Sequence, residues 1–255
     1  MFLSFKKSTA ILLGIAIFFI VSLSFLVKYS GIASVYFNGS ARKVPICSVE
    51  RNDNKISISF DCAYGADYTL KILDILDEYD VKCTFFVVEF WAKKYPEILK
   101  EISLRGHEIG THSSSHPNMS RLSVEKIKEE LVSSSNTITE IIGKKVEVFR
   151  PPFGDYDNEV LETATSLNLY TIQWSVDSLD WKDLSAKEIT SRILNKTKSG
   201  SIILCHNNAL HTHEALPYVL SNLKEKGYEF LPIGELIYKE NYTIDSFGVQ
   251  HQSLK

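Results

Sequence analysis

From Lys55 onward the chain alternates short apolar runs with amphipathic stretches, and no other feature limits its fold so closely. ISISF (Ile56–Phe60) reads as a strand, and YTLKILDILDEY (Tyr68–Tyr79) carries Leu70, Leu73 and Leu76 at helical spacing. CTFFVV (Cys83–Val88), rich in aromatic and β-branched residues, predicts a second strand. A helix around Pro96–Leu104 follows, then a short strand at Glu108–Thr111. Ser123 can cap a long helix whose apolar face includes Ile127, Leu131, Ile138 and Ile142. Next come a strand near Val146–Arg150, a helix near Glu159–Leu167 and a strand at Tyr170–Trp174. Ser185 and Glu188 form a capping-box signature for a helix ending before Gly200. SIILC (Ser201–Cys205) is another strand, followed by a helix ending at Gly227 and a short strand near Phe230. Alternation of this kind means parallel strands with crossover helices, an α/β domain. Periodicity alone leaves both an open doubly wound sheet and a closed barrel available.

Ahead of this domain, Lys6 and Lys7 precede STAILLGIAIFFIVSLSFLV (Ser8–Val27). That run of about 20 uncharged residues has the length of a bilayer-spanning helix. It predicts a membrane anchor over residues 1–28, in preference to a cleaved signal peptide, whose apolar part spans about 7–15 residues. Gly31-Ile32-Ala33 offers the alternative cleavage site, several residues past the apolar end. A run apolar on all faces does not suit a buried core helix of a small domain. Lys6 and Lys7 favour a cytoplasmic N-terminus, although Lys28, Arg42 and Lys43 weaken the asymmetry. Residues 29–54, with Gly31, Gly39, Pro45 and the polar RNDNK stretch, read as a stalk or linker. Residues 55–240 form the domain, and 241–255 a polar C-terminal tail.

Composition excludes several classes. A chain that is 44% hydrophobic and 23% charged folds rather than staying disordered. A net charge of −3 lacks the basic stripe of a nucleic-acid binder. Cys47, Cys62, Cys83 and Cys205 make no CxxC pair, so zinc-finger and thioredoxin-like motifs are unsupported. Cys83 and Cys205 lie in apolar runs and read as buried thiols.

The unusual polar clusters all follow strand ends, where α/β enzymes place their chemistry. GTHSSSHP sets His112 and His116 at i and i+4, able to share one face of a helical turn and one divalent metal. Asp61, in SISFDCAYGAD, stands where a general base would, though such a residue can equally cap a turn. RPPFGDY (Arg150–Tyr156) is a stiff loop from which Arg150 could orient a carboxylate such as Asp61 through a bidentate contact. Its bland alternative is a rigid loop with a surface salt bridge. WSVDSLDW (Trp174–Trp181) places Asp177, Asp180 and two tryptophans together, suited to a catalytic relay or a sugar platform. In ILCHNN, His206 can serve as a general acid if Asp180 holds its ring, whereas a lone His here is structural.

These five clusters, SFDCAYGAD, HSSSH, RPPFG, DSLDW and LCH, resemble in their order the NodB-homology polysaccharide deacetylases, carbohydrate esterase family 4. The resemblance runs from about Lys55 to Tyr238, and the first cluster is similar to the sporulation and cell-wall branch of Gram-positive bacteria. It implies a distorted (β/α)7 barrel, here preceded by one transmembrane helix, with the site at the C-terminal rim. It also implies a hydrolase removing N-acetyl groups from an amino-sugar polymer, peptidoglycan or a related wall glycan. The resemblance gives His112 and His116 to a divalent metal, zinc in most members, with cobalt or manganese as alternatives. Asp61 becomes the base that deprotonates water, steadied by Arg150, and His206 with Asp180 protonates the departing amine. The backbone N–H of Phe153 helps hold the oxyanion, while Trp181 and Leu204 line the acetyl pocket. A single-pass protein of the cell membrane, with its domain outside the cytoplasm, is the expected setting, and no protein partner is implied.

One position departs from the family pattern. The first cluster of the family has two adjacent Asp residues, base then metal ligand, and here the second is Cys62, in a segment about one residue longer. Asp67 is expected to supply the third ligand, although it can also cap the helix that follows. Cys62 as thiolate, or the two histidines with waters, are the alternatives. The substitution also supports a competing class, a non-catalytic glycan-binding protein that kept the fold, against which Asp61, Arg150, Asp180 and His206 count together. A hydrolase of other small amides is the third reading. His107 reads as a core or rim residue, and His211 and His213 as surface residues opening a helix.

Overall fold

The computed structural model describes residues 7–29 and 42–253. They belong to two units, Met1–Arg42 and Lys43–Lys255. In the first, Lys7–Tyr29 form a helix. Its side chains are described from Gly14 to Phe25. Among the described residues no helix is long and apolar enough to cross a membrane. The expected transmembrane anchor over 1–28, the membrane as partner and the single-pass, extracytoplasmic location are therefore corrected. The expectation counted uncharged residues from Ser8 to Val27, and the described side chains cover only part of that run. The alternative cleavage site at Gly31-Ile32-Ala33 lies outside the described residues.

The second unit is built around parallel strands. In chain order these are β1 (Ser48–Val49), β2 (Lys55–Cys62), β3 (Thr84–Val87), β4 (Glu108–Thr111), β5 (Val148–Phe149) and β6 (Tyr170–Thr171). β7 (Val176–Asp177), β8 (Ile202–His206), β9 (Glu229–Phe230), β10 (Tyr242–Ile244) and β11 (Val249–Gln252) follow. The main sheet runs β6-β5-β4-β3-β2-β8-β7, with β9 paired to the start of β2. β2 is central and buried along nearly its whole length, as a strand covered on both faces must be.

Alternation along β2 sorts its side chains. Ile56, Ile58, Phe60 and Cys62 pack with Ile72, Leu73 and Leu76 of the helix Thr69–Glu78. Ser57, Ser59 and Asp61 take the other face. There Ser57 lies in register with Ile202 and Asp61 with Phe86. Phe86, Val148 and Ile202 come from well-separated strands, yet meet Ile46 and Ile172 in one buried cluster. The sheet is therefore curled around a small interior. The opening between its two ends is bridged by the segment at Ile46–Ser48, which pairs with Ile172 on one side and Ser201 on the other. The result is a curled parallel half-barrel, because β5, β6 and β7 are two residues each and too short to close a ladder on one another.

The helices cover the convex face, and their ends follow the sequence signals. Ser123 accepts from Lys126 N to open Val124–Ile142, which Gly143 closes in the left-handed region. Ser185 and Glu188 form the full capping box of Ala186–Lys196. The short helix Glu89–Lys94 is an element the periodicity does not show.

Segments read as stalk and tail meet in a second small sheet, β1-β11-β10. Its parallel pairing sets Ser48 against Val249, and β10 and β11 form an antiparallel hairpin. Buried Gln250 clamps Tyr238, accepting from its N–H (2.9 Å) and donating to its carbonyl (2.7 Å). His251 lies between Glu50 (2.8 Å) and Asp245 (3.2 Å). Gly200 makes the close approach of β1 possible, because Val49 N donates to Gly200 O at 2.9 Å. Its φ is +76°, and an added Cβ would stand 1.6 Å from Val49 O. Gly200→Ala is expected to lower stability by about 2–4 kcal/mol, from left-handed strain and the displaced strand together. A denaturant titration should show an earlier midpoint, and an unchanged midpoint would remove the role given to this glycine.

Candidate active site

The polar clusters meet at the C-terminal ends of the strands. Register accounts for the central pair: Asp61 on β2 stands level with His206 on β8, and Ser59 with Leu204 below them. Residues paired in this way across parallel strands face the same side. Leu204 is thus a buried apolar wall beneath His206 on the concave face.

Asp61 is only 6% exposed. Arg150 Nη1 donates to its Oδ1 at 2.7 Å, while Arg150 Nη2 donates to Gln173 O at 3.2 Å. The contact is single, not the bidentate one expected, because Gln173 takes the second prong. The guanidinium lies over the Phe86 ring, 4.1 Å from its centroid. Burial works against the charge on Asp61, but Arg150, His112 and His206 outweigh it and hold the carboxyl below the ordinary range. Burial also pulls the Arg150 pKa down and Asp61 pulls it up. The guanidinium stays protonated because its ordinary value lies far above neutrality.

His112 Nδ1 lies 2.7 Å from Arg150 O. A carbonyl can only accept, so Nδ1 carries the hydrogen. Burial pushes the imidazole pKa down, which leaves the neutral ring with a lone pair on Nε2. That atom faces Asp61 Oδ2 at 3.6 Å: two acceptors look at each other across a gap suited to a cation or a bridging donor.

His116 joins the site, but not through a helical turn. The segment after His112 is a loop in which Ser113 and His116 have φ of 71° and 60°. Pro117 disfavours helical backbone at His116. The loop is held from below: Glu130 accepts from Ser114 N and Ser115 N, and Glu89 accepts from Ser114 Oγ. The two imidazole rings meet edge to face with centroids 5.0 Å apart. Burial, then His112, pushes the His116 pKa down to about 4. Its buried Nδ1 has no hydrogen-bond partner among the described residues.

Two neutral imidazoles beside an ionised carboxylate match the donor chemistry of zinc and its neighbours. A third protein ligand is not assembled. Among the described residues no group of three His, Cys, Asp or Glu side chains is placed to hold a metal. Asp67, expected there, is exposed and tied to Asn208, whose Oδ1 accepts from Asp67 N (2.6 Å) and whose Nδ2 donates to Asp67 Oδ2 (3.0 Å). Cys62 is on the opposite face of β2 from Asp61, fully buried, and burial raises its thiol pKa well above the ordinary value. The residues present therefore fit a two-histidine site, the last of the three arrangements the sequence allows.

Across from Asp61, Asp180 is fully buried. Its Oδ1 accepts from His206 Nδ1 (2.7 Å), and its Oδ2 from His206 N (2.8 Å) and Thr212 Oγ1 (2.5 Å). Burial opposes charge on half-buried His206, but Asp180 and then Asp61 outweigh it and raise its pKa. Asp180 is correspondingly low: burial raises it, and the bond to His206 wins. Asp177 is outside this relay, its carboxylate accepting from Leu179 N. Trp181 is exposed beside Lys182, and Phe153 is exposed with φ 60°, its ring 4.6 Å from His116.

Asn207 and Asn208, next to His206, tie this strand to the loop after Asp61, a role that the ILCHNN run does not reveal. Their signal was faint: two polar residues after a strand-terminal His. His107 is buried, as expected, with Cys83 N donating to its Nδ1 at 3.3 Å. His211 opens a helix and pairs with Glu214 (2.8 Å). His213, expected at the surface, is instead buried and stacked on Tyr68 at 4.4 Å.

A curled parallel sheet thus gathers a buried carboxylate, a carboxylate-held histidine and a histidine pair at one end, an arrangement suited to hydrolytic chemistry. The polysaccharide deacetylase family model matches residues 48–172. A peptidoglycan-N-acetylglucosamine deacetylase of Bacillus cereus is 34% identical, over 71% of this chain and 68% of its own length. The peptidoglycan-N-acetylmuramic acid deacetylase PdaA of Bacillus subtilis is 32% identical, over 76% and 75%. The crystal structure of a family 4 pseudoenzyme from Bacillus anthracis superposes with a TM-score of 0.74 at 32% identity, covering 83% of this chain and 73% of that one. A mutant of that pseudoenzyme with restored enzymatic activity matches equally well, at 36% identity, 77% and 72% coverage and a TM-score of 0.74. The chain belongs to the polysaccharide deacetylase family, the carbohydrate esterase family 4 N-deacetylases, and the resemblance to the Gram-positive cell-wall branch is borne out.

Proposed function

We propose that the domain removes N-acetyl groups from peptidoglycan by metal-assisted hydrolysis, with Asp61 as base and His206 as acid. The observation that carries this reading is the pairing of two groups level on adjacent strands, Asp61 held by Arg150 and His206 held by Asp180, partners that lower the first pKa and raise the second. Acid and base roles follow when environments push neighbouring pKa values apart in this way. A divalent cation bound by His112 and His116 would polarise the acetamide carbonyl and lower the pKa of water. Asp61 accepts the proton of the attacking water on Oδ2, the oxygen that Arg150 leaves open. As the carbon–nitrogen bond breaks, His206 gives the Nε2 proton to the departing sugar amine, and acetate leaves. Asp180 fixes the ring by holding Nδ1–H, so the donating nitrogen is always Nε2. The Phe153 N–H supports the oxyanion, and Leu204 and Trp181 bound the acetyl group. Peptidoglycan is the substrate named for the Bacillus cereus and Bacillus subtilis relatives.

The test is acetate release from N-acetylglucosamine oligomers and from peptidoglycan, with chelator and with added zinc, cobalt or manganese. Release should stop with chelator and return with metal. With only two protein nitrogens to hold it, the metal should be removed by mild chelation. No release with any metal on either substrate would overturn the catalytic reading in favour of the glycan-binding one.

A further inference from the structure

The loop between Asp61 and the helix Thr69–Glu78 performs no chemistry in the reading above, yet it is held firmly. Gly65 O accepts from Trp91 Nε1 (2.6 Å) and from Asn207 Nδ2 (3.1 Å), and Asn207 Nδ2 also reaches Thr69 Oγ1 (2.9 Å). Asn208 engages both the backbone and the carboxylate of Asp67. Gly65 has φ +70°, and a Cβ there would lie 2.2 Å from Asn208 Nδ2, so the clamp closes only around a glycine. Asn207 and Asn208 directly follow His206, so the same strand end sets the acid and the loop.

What this loop presents is Tyr64, 70% exposed. Its ring is 5.7 Å from Phe90, itself 37% exposed, and 5.9 Å from His116. His116 in turn packs against Phe153, 67% exposed. Four rings thus form a continuous ridge, Phe90–Tyr64–His116–Phe153, leading from the candidate site to open solvent. Displaying apolar rings to water is unfavourable, and a rigid, exposed aromatic surface joined to a site marks a binding surface. A pyranose ring has an apolar C–H face that matches such a surface, and Tyr adds a hydroxyl for the sugar's own. A polymer whose acetamide reaches Asp61 must continue over the rim, and this ridge provides an aromatic path for it.

Resting on the deacetylase reading, we propose that Tyr64 and Phe90 form a sugar-stacking subsite for the ring adjacent to the unit being deacetylated. The loop that lacks the family's second aspartate is then a substrate-length determinant. Tyr64→Ala and Phe90→Ala should each weaken binding of the N-acetylglucosamine tetramer about 5–10-fold by calorimetry. Binding of the N-acetylglucosamine monomer, which has no adjacent ring, should change less than about twofold. Tyr64→Phe, which keeps the ring, should restore most of the loss, and Phe247→Ala, an 83% exposed ring on the C-terminal hairpin, should have no effect. In acetate release, KM for the tetramer should rise more than kcat falls. Equal losses on monomer and tetramer, no loss on either, or no tetramer binding by the unaltered chain would overturn the subsite. A length-dependent binding loss without acetate release in the unaltered chain would uphold the subsite and sink the catalytic reading. Release with a tetramer KM indifferent to Tyr64 would do the reverse.

Discussion

Replacing Asp61 with asparagine is expected to lower acetate release by about 10²–10⁴-fold while the domain stays folded. The amide oxygen can still accept from Arg150 Nη1, so the 2.7 Å contact survives in kind. The amide NH2 would take the place of Oδ2, facing His112 Nε2, an acceptor at 3.6 Å that can receive it. What is lost is the ability to take a proton from water. The pH dependence of kcat/KM reports the same group. In the unaltered chain Asp61 lies below its ordinary value, so the rate should fall on the acid side only below about pH 4. His206 is raised, so the alkaline fall should come above about pH 6.5. The residual rate of Asp61→Asn should lack the acid fall and keep the alkaline one. Activity near the unaltered level, with the acid limb intact, would remove Asp61 as the base.

Much of this arrangement is legible in the sequence, and the failures have physical causes. The helices Val124–Ile142 and Ala186–Lys196 are long, periodic and capped by their own residues, so local signals suffice. Strands β1, β10 and β11 escape notice because they are two to four residues long and carry residues such as VQHQ, which show no apolar alternation. Their order comes from pairing across nearly the whole domain. Cys62 illustrates a boundary error with chemical consequences. Taken to end at Phe60, β2 leaves Cys62 free to turn toward the histidines. In fact the ladder continues to the pair Cys62–Val87, and alternation then buries the thiol on the face away from Asp61.

Asp67 and His116 are both placed by features that local sequence does not announce. The side chain of Asp67 is claimed by Asn208, a partner 141 residues away that no local pattern announces. His112 and His116 do meet, but through two left-handed residues and not the helical turn that their spacing suggests. The five clusters were visible because each follows a strand, and the curl of the sheet brings strand ends together whatever their order in the chain. The detailed partners were not visible, because Gln173, Thr212 and Asn207 act through bonds to groups distant in sequence.

Arg150→Met is expected to destabilise the domain by about 3–5 kcal/mol at neutral pH, and the cause should be the carboxylate it leaves behind. Arg150 is fully buried between the Phe86 and Trp174 rings, with its Nε unpartnered among the described residues, so an apolar chain of similar length suits the space well. Asp61 loses its main counter-charge and keeps its burial, the influence that raises its pKa. In the unaltered chain the lowered pKa of Asp61 contributes stability that is present above the unfolded value and lost as pH falls through the folded one. In Arg150→Met the sign reverses: a raised pKa makes ionised Asp61 a liability that disappears on protonation. The stability gap between the two proteins should therefore begin to narrow above about pH 4, as the variant's raised Asp61 protonates. It should narrow further below that pH, as the unaltered chain loses its own contribution, and the acid limb of activity should move to higher pH. The double variant Arg150→Met/Asp61→Asn separates charge from packing. It should recover most of the stability in a urea titration while remaining inactive. If it stays as unstable as Arg150→Met, the deficit lies in packing around Phe86 and Trp174, and the electrostatic account of this pair fails.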